Sequence, residues 1–250
     1  MNIDIITLFP EMFQALHYGV ISKALSNHII KLNTWNPRDF TTNSHRTVDD
    51  RPYGGGPGMV MLYEPLAATL AHIQQQQQPK SMVIYLSPQG TPLKQIDIQQ
   101  LSTASGLTLV AGRYEGIDQR FIDQHVDAVY SVGDYVVSGG ELPAMLLVDA
   151  IARLRPGVLG CNESAQQDSF SHGLLEGPCY SRPEKIDEKS VPSVLLSGDH
   201  AAIKAWQQQE SLRITWQKRP DLLQRRNLSA KQKAMIEQWS QASPLQQEDT

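Results

Sequence analysis

Three segments of the chain carry glycine, serine and proline densely enough to bring backbone close to a ligand. They are Tyr85-Leu86-Ser87-Pro88-Gln89-Gly90, Gly112-Arg113-Tyr114-Glu115-Gly116-Ile117-Asp118 and Ser131-Val132-Gly133-Asp134-Tyr135-Val136-Val137-Ser138-Gly139-Gly140-Glu141-Leu142-Pro143. Each follows an apolar, strand-like run: residues 81–86, 107–111 and 126–132. In open parallel sheets, ligands bind outside the carboxyl ends of the strands. Glycine has no Cβ to hold a ligand away from the main chain. One such loop by itself is an ordinary tight turn. Three of them on consecutive strands point to a ligand site. A fourth segment, Arg51-Pro52-Tyr53-Gly54-Gly55-Gly56-Pro57-Gly58-Met59, is too rich in glycine for a packed element and reads as a functional loop or a hinge. The chain has no GxxxxGK[ST] and no GxGxxG, the two phosphate-cradling patterns. The third loop is poor in positive charge and holds Asp134 and Glu141. Such a pocket suits a neutral or cationic ligand bound through backbone groups. An adenosine bearing a sulfonium fits that description, as do many other nucleosides.

The elements that must carry these loops alternate. Residues 3–8, 29–32, 81–86, 107–111 and 126–132 read as strands. Helical patterns are expected from Pro10 to Leu16, over 93–101 and over 117–125, and a strongly apolar helix over 141–154. That order predicts an α/β fold with a mainly parallel sheet. Residues 155–195 lose all periodicity and carry four prolines, so a linker or loop is expected there. From Asp199 the pattern is helical again, and the tail after Ala242 is polar. Gln74 to Gln78 read as an exposed helix end or loop. The domains expected are 1–157, a linker at 158–175, and a helical domain at 176–250.

Composition narrows the classes. The 250 residues are 40% hydrophobic and 19% charged, a folded and globular balance. Cys161 and Cys179 are far apart, which excludes a disulfide framework or a zinc site as the organising feature. Met1-Asn2-Ile3-Asp4 places an acid where a signal peptide would carry a base, and no uncharged apolar run reaches membrane length, so a cytoplasmic protein without a membrane partner is expected. The net charge of -4 argues against a nucleic-acid binder only as an average. Residues 1–203 sum to -7, whereas residues 204–233 carry eight bases against two acids. A basic helical segment beside an acidic layer fits a small RNA-docking domain.

Longer motifs add a family. Leu8-Phe9-Pro10-Glu11-Met12-Phe13, the run from His45 to Met59, the three glycine loops, Arg155-Pro156-Gly157-Val158-Leu159-Gly160, Asp168-Ser169-Phe170, Tyr180-Ser181-Arg182-Pro183 and the run from Val191 to His200 together resemble bacterial tRNA (guanine-N1)-methyltransferases, the TrmD family. The motifs keep family order over most of residues 3–220. Cys161-Asn162 departs from the family pattern, in the linker. The resemblance implies a SPOUT-class fold with a deep trefoil knot, a homodimer with shared active sites, and a small helical tRNA-binding domain. It implies methyl transfer from S-adenosylmethionine to N1 of guanine 37 of tRNA, together with a magnesium requirement, although no metal-ligand spacing is visible. By the same resemblance Asp168 is the general base and Arg153 stabilises the developing charge. Tyr85, Leu86, Ser87, Pro88, Gly112, Glu115, Val132, Gly133, Tyr135, Val137, Gly139, Gly140 and Pro143 would line the cofactor pocket. Arg113, Ser169, His45, Arg46 and Asp49 would contact the tRNA or the active site. Competing readings are a SPOUT enzyme acting on ribosomal RNA or a ribose hydroxyl, and an RNA-binding scaffold without catalysis.

Overall fold

The computed structural model describes residues 1–77, 80–160, 165, 168–224 and 226–242. The chain divides into two compact units, Met1–Asn162 and Glu163–Thr250.

The first unit is built on five parallel strands: β1 (Asn2–Ile6), β2 (Lys31–Trp35), β5 (Met82–Pro92), β6 (Gly106–Ala111) and β7 (Ala128–Ser131), in the order β2-β1-β6-β5-β7. Strand side chains alternate between faces. Ile3, Ile5, Ile84, Leu86, Leu107 and Leu109 point into one core, where they meet Phe13, Leu16, Ala144, Leu147 and Val148. Ile6, Val83, Tyr85 and Val110 point into the other, against Leu66, Leu70, Ile73 and Phe121. Both faces are therefore covered, as a parallel sheet requires. Helices α1 (Gly19–Ser26), α3 (Gln95–Ser102) and α5 (Glu141–Leu154) supply the first core, and α2 (Tyr63–Gln75) and α4 (Gln119–His125) the second. Strands β3 (Asp49–Asp50) and β4 (Val60–Met61) form a short antiparallel pair flanking the 51–59 loop.

Several elements differ from expectation. The run from Pro10 is a 3-10 stretch, Pro10–His17, and α1 follows after Tyr18 in extended conformation. The second strand begins at Lys31, not Ile29, because Ile29 and Ile30 are apolar for burial rather than for pairing: Ile30 N–H is held by the Ala24 carbonyl. Helix α2 was not expected; Pro65 falls in its first turn, where proline is tolerated. Gln74 and Gln75 close that helix, and Gln78 lies outside the described residues.

Tyr85-to-Gly90 does not end its strand. Leu86 pairs with Tyr130, the chain leaves the ladder, and Thr91 returns to pair with Tyr130 again. The loop is thus an excursion from within β5. Gly90 makes the return possible, since a Cβ there would stand 2.5 Å from the Tyr130 carbonyl carbon.

The second unit holds α6 (His200–Lys218), α7 (Pro220–Gln224) and α8 (Ala230–Ala242), with an antiparallel pair β8 (Lys185–Ile186) and β9 (Lys189–Ser190). Asp199 caps α6 by accepting from Ala201 and Ala202 N–H. Its core is Leu212, Trp216 and Leu223 with Leu174, Leu228, Ile236 and Trp239. Val158, expected in the linker, is 2% exposed and belongs to the first core.

Candidate active site

The excursion from β5 and the carboxyl ends of β6 and β7 open into one cleft of about 430 Å³, within the usual range for a small-molecule site of roughly 300–1,000 Å³. All thirteen residues expected to line a cofactor pocket do line this cleft, and Arg113 joins them. Its closeness depends on glycine. A Cβ on Gly140 would stand 2.7 Å from Ala111 Cα and 2.8 Å from Gly112 N, so the start of α5 can approach β6 only as glycine. The Gly140 N–H then donates to the Gly112 carbonyl at 2.8 Å. Gly112 in turn lies over the Tyr85 ring. Burial pushes the Tyr85 phenol above its ordinary range, against opposing hydrogen bonds with Ser87 and the Ile117 backbone.

Among the described residues, Arg113 and Glu115 are the formally charged ones that line the cleft. Arg113 faces Glu141, with Nε 2.8 Å from Oε2, an ion pair rather than a well-directed hydrogen bond. Glu141 does not line the cleft; it is fully buried at the first turn of α5. Among the described charged residues of the wall, Glu115 is the one outside that ion pair. The 51–59 loop ends against it: a Cβ on Gly58 would meet the Glu115 side chain at 2.5 Å, and Glu115 N–H donates to the Met59 carbonyl at 3.0 Å. A negative group among backbone amides and aromatic rings fits a nucleoside with a cationic centre better than a pyrophosphate.

The other expected residues are spread over both units. Asp49 sits in β3 beside Tyr114, a cleft residue in the left-handed region at φ 61°. Burial and then the Asp49 carboxylate raise the Tyr114 phenol, while Arg38 acts the other way. Arg46 bonds Asp39 and the Arg38 carbonyl, and His45 is exposed on the same loop. Neither lines the cleft. Arg153 is half-buried in the last turn of α5. Asp168 and Ser169 belong to the second unit, in a tight turn where Ser171 N–H donates to the Asp168 carbonyl and Ser169 Oγ accepts from Glu176 N–H. Among the described residues no group of three or more His, Cys, Asp or Glu could hold a metal ion, so no magnesium site is assigned. No helix among them is long and apolar enough to cross a membrane.

The cleft also takes in Gln89, Tyr114, Gly116, Ser131, Val136 and Ser138, each inside a motif already singled out. Gln119 and Ile122, from α4, and Tyr130, from β7, carry no such signal. Their place follows from packing alone.

Residues 1–225 match the family model described as tRNA (Guanine-1)-methyltransferase TrmD. The chain is 55% identical over 241 residues to a Coxiella burnetii (strain RSA 493 / Nine Mile phase I) protein named tRNA (guanine-N(1)-)-methyltransferase, covering 96% of this chain and 98% of that one. It is 53% identical over 240 residues to a protein of the same name from Pseudomonas fluorescens (strain SBW25), and 52% over 240 residues to one from Stutzerimonas stutzeri (strain A1501), each covering 96% of both chains.

Proposed function

The chain belongs to the tRNA (guanine-1)-methyltransferase TrmD family, and on that premise we propose that it methylates N1 of guanine 37, the base just 3′ of the anticodon in tRNA, with S-adenosylmethionine as donor. The observation that carries the reading is the three-loop cleft, walled by backbone, glycine and aromatic rings, where Glu115 is the charged residue, among those described, outside the Arg113–Glu141 ion pair.

Tyr85, Leu86, Ser87 and Pro88 hold one side of the donor, Gly112 and Glu115 the second, and Val132, Gly133, Tyr135, Val137, Gly139, Gly140 and Pro143 the third. Bound there, S-adenosylmethionine supplies an electrophilic methyl group on a sulfonium. Guanine N1 carries a proton at neutral pH and becomes nucleophilic only as that proton leaves. Asp168 accepts it, and Arg153 faces the negative charge that builds on the O6–N1 amide. General-base catalysis of this kind is worth ~10²–10⁴-fold, and the guanidinium adds preorganised electrostatic stabilisation.

His45, Arg46, Asp49 and Ser169 contact the tRNA, a turn of the second unit carries Asp168, and the helices of that unit dock the RNA. Two copies share their active sites. Exposed Tyr18, Val136, Leu142 and Leu146, large apolar side chains on the first unit, support that pairing. The return of α5 onto the end of β6 through Gly140 supports a trefoil-knotted path. The enzyme acts in the cytoplasm, with its substrate.

Purified protein, labelled S-adenosylmethionine and tRNA transcripts with guanine or adenine at position 37 test the reading. Transfer to the guanine transcript alone is expected. No transfer to either overturns it, and transfer to both removes the base specificity.

A further inference from the structure

Glu141 is a fully buried carboxylate that the proposed chemistry leaves without a task. Its two oxygens face different parts of the first unit. Oε1 accepts from Thr7 Oγ1 at 2.9 Å, just beyond the end of β1. Oε2 stands 2.8 Å from Arg113 Nε, in the second glycine loop. Thr7 Oγ1 also accepts from Phe9 N–H at 3.0 Å. Arg113 extends the chain of contacts. Its Nη1 donates to the Ser138 carbonyl at 3.1 Å, in the third loop, and Nη2 reaches Met12 Sδ at 3.3 Å. The guanidinium lies over the Phe9 ring, 4.5 Å from its centroid. Gly139 leaves the path open, because a Cβ there would stand 2.3 Å from Arg113 Nε. One network, buried at Glu141 and Thr7 and reaching the surface at Ser138, thus joins the end of β1, the second loop, the third loop and α5. A charge this deep is tolerated only with its partner in place, and removing one member leaves the other uncompensated.

We propose that Glu141 is a positioning residue: by holding Arg113 against the Ser138 carbonyl it fixes the second glycine loop to the third and so sets the width of the cleft. The proposal rests on reading that cleft as the S-adenosylmethionine site. It also gives Arg113 a different role from the RNA contact its sequence position suggests. The Arg113 side chain is 17% exposed and is held by groups of its own unit, as a clamp requires.

The test titrates S-adenosylmethionine into the full chain by calorimetry, then measures methyl transfer. Absence of binding by the wild type overturns the cofactor reading and this proposal with it. Given binding, Glu141→Gln is expected to raise both Kd and KM for S-adenosylmethionine about tenfold, as leaving a buried charge unpaired does. At saturating donor kcat stays within about threefold, the pattern of lost binding geometry rather than lost chemistry. A merely structural role would instead lower the active fraction, and so kcat, at unchanged KM; that result overturns the proposal. Thr7→Val keeps both charges and decides the matter should Glu141→Gln fail to fold. It is expected to raise KM about threefold, and an unchanged KM overturns the proposal. Arg113→Gln should reproduce the rise in KM while leaving the salt dependence of tRNA affinity unaltered. A fall of about 1 in that slope, the mark of a lost phosphate contact, overturns the clamp.

Discussion

Asp168→Asn keeps the shape of the side chain and one acceptor oxygen but removes the group that takes a proton. With Asp168 as base, single-turnover methyl transfer should fall by about 10²–10⁴-fold. S-adenosylmethionine affinity, measured by calorimetry, should stay within a few-fold, because the cofactor walls come from other residues. Normal turnover by this variant would remove the base assignment. Gly140 makes the opposite case, a residue whose task is to be small. Its φ of -76° suits any residue, so an alanine there fails only by contact, with Ala111 and Gly112 backbone that cannot swing aside. Gly140→Ala should cost about 1–3 kcal/mol in chemical denaturation, as overpacking typically does. It should also weaken cofactor binding by spreading the second and third loops. The sequence marks both residues, Asp168 through a family motif and Gly140 through glycine density, but it does not distinguish a chemical role from a steric one.

At the scale of elements, the glycine loops depend on what packs behind them. Helix α5 buries Pro143, Ala144, Leu147, Val148, Ile151 and Ala152 on one face and leaves Leu142 and Leu146 outside. Leu147→Ala removes a fully buried side chain from the first core and should cost about 2–5 kcal/mol. Asp199→Ala removes a cap that serves two N–H groups of α6 and should cost about 1 kcal/mol. Urea unfolding of both variants checks the order. A cost for Asp199→Ala equal to that for Leu147→Ala would mean that the cap holds more than its helix. Elements with long apolar runs, such as β6 and α5, are plain in the sequence. Helix α2 is less so, because its Leu66, Leu70 and Ile73 stripe lies between a glycine loop and a glutamine run.

For the whole molecule, opposite charge on the two parts of the chain has a measurable consequence. The net of +6 over residues 204–233 stands against -7 over residues 1–203. Arg213 pairs with Glu210 at 2.6 Å and Arg219 with Asp221 at 2.8 Å, so the two acids of that segment each face an arginine. Lys231 and Lys233, on α8, are exposed. If they meet phosphates, replacing both with glutamine should reduce the slope of log affinity for tRNA against log salt by roughly 1.5, at ~0.7–0.9 per charge. Filter binding over a salt series measures this. An unchanged slope places the RNA elsewhere.

What the amino-acid order alone determined is local: three apolar runs each leading into a glycine loop, the α/β alternation, the family motifs, and the change of charge at the helical segment. Such features are carried by neighbouring residues and by periods of two or 3.6. What required the folded chain is contact across distance. The β5 excursion depends on Tyr130 of another strand, and Glu141 reaches Thr7, 134 residues away in the chain. Arg113 shows the difference most clearly. In sequence it is a cation in a glycine loop, suited to RNA; in the fold, the buried carboxylate facing it turns the same cation inward.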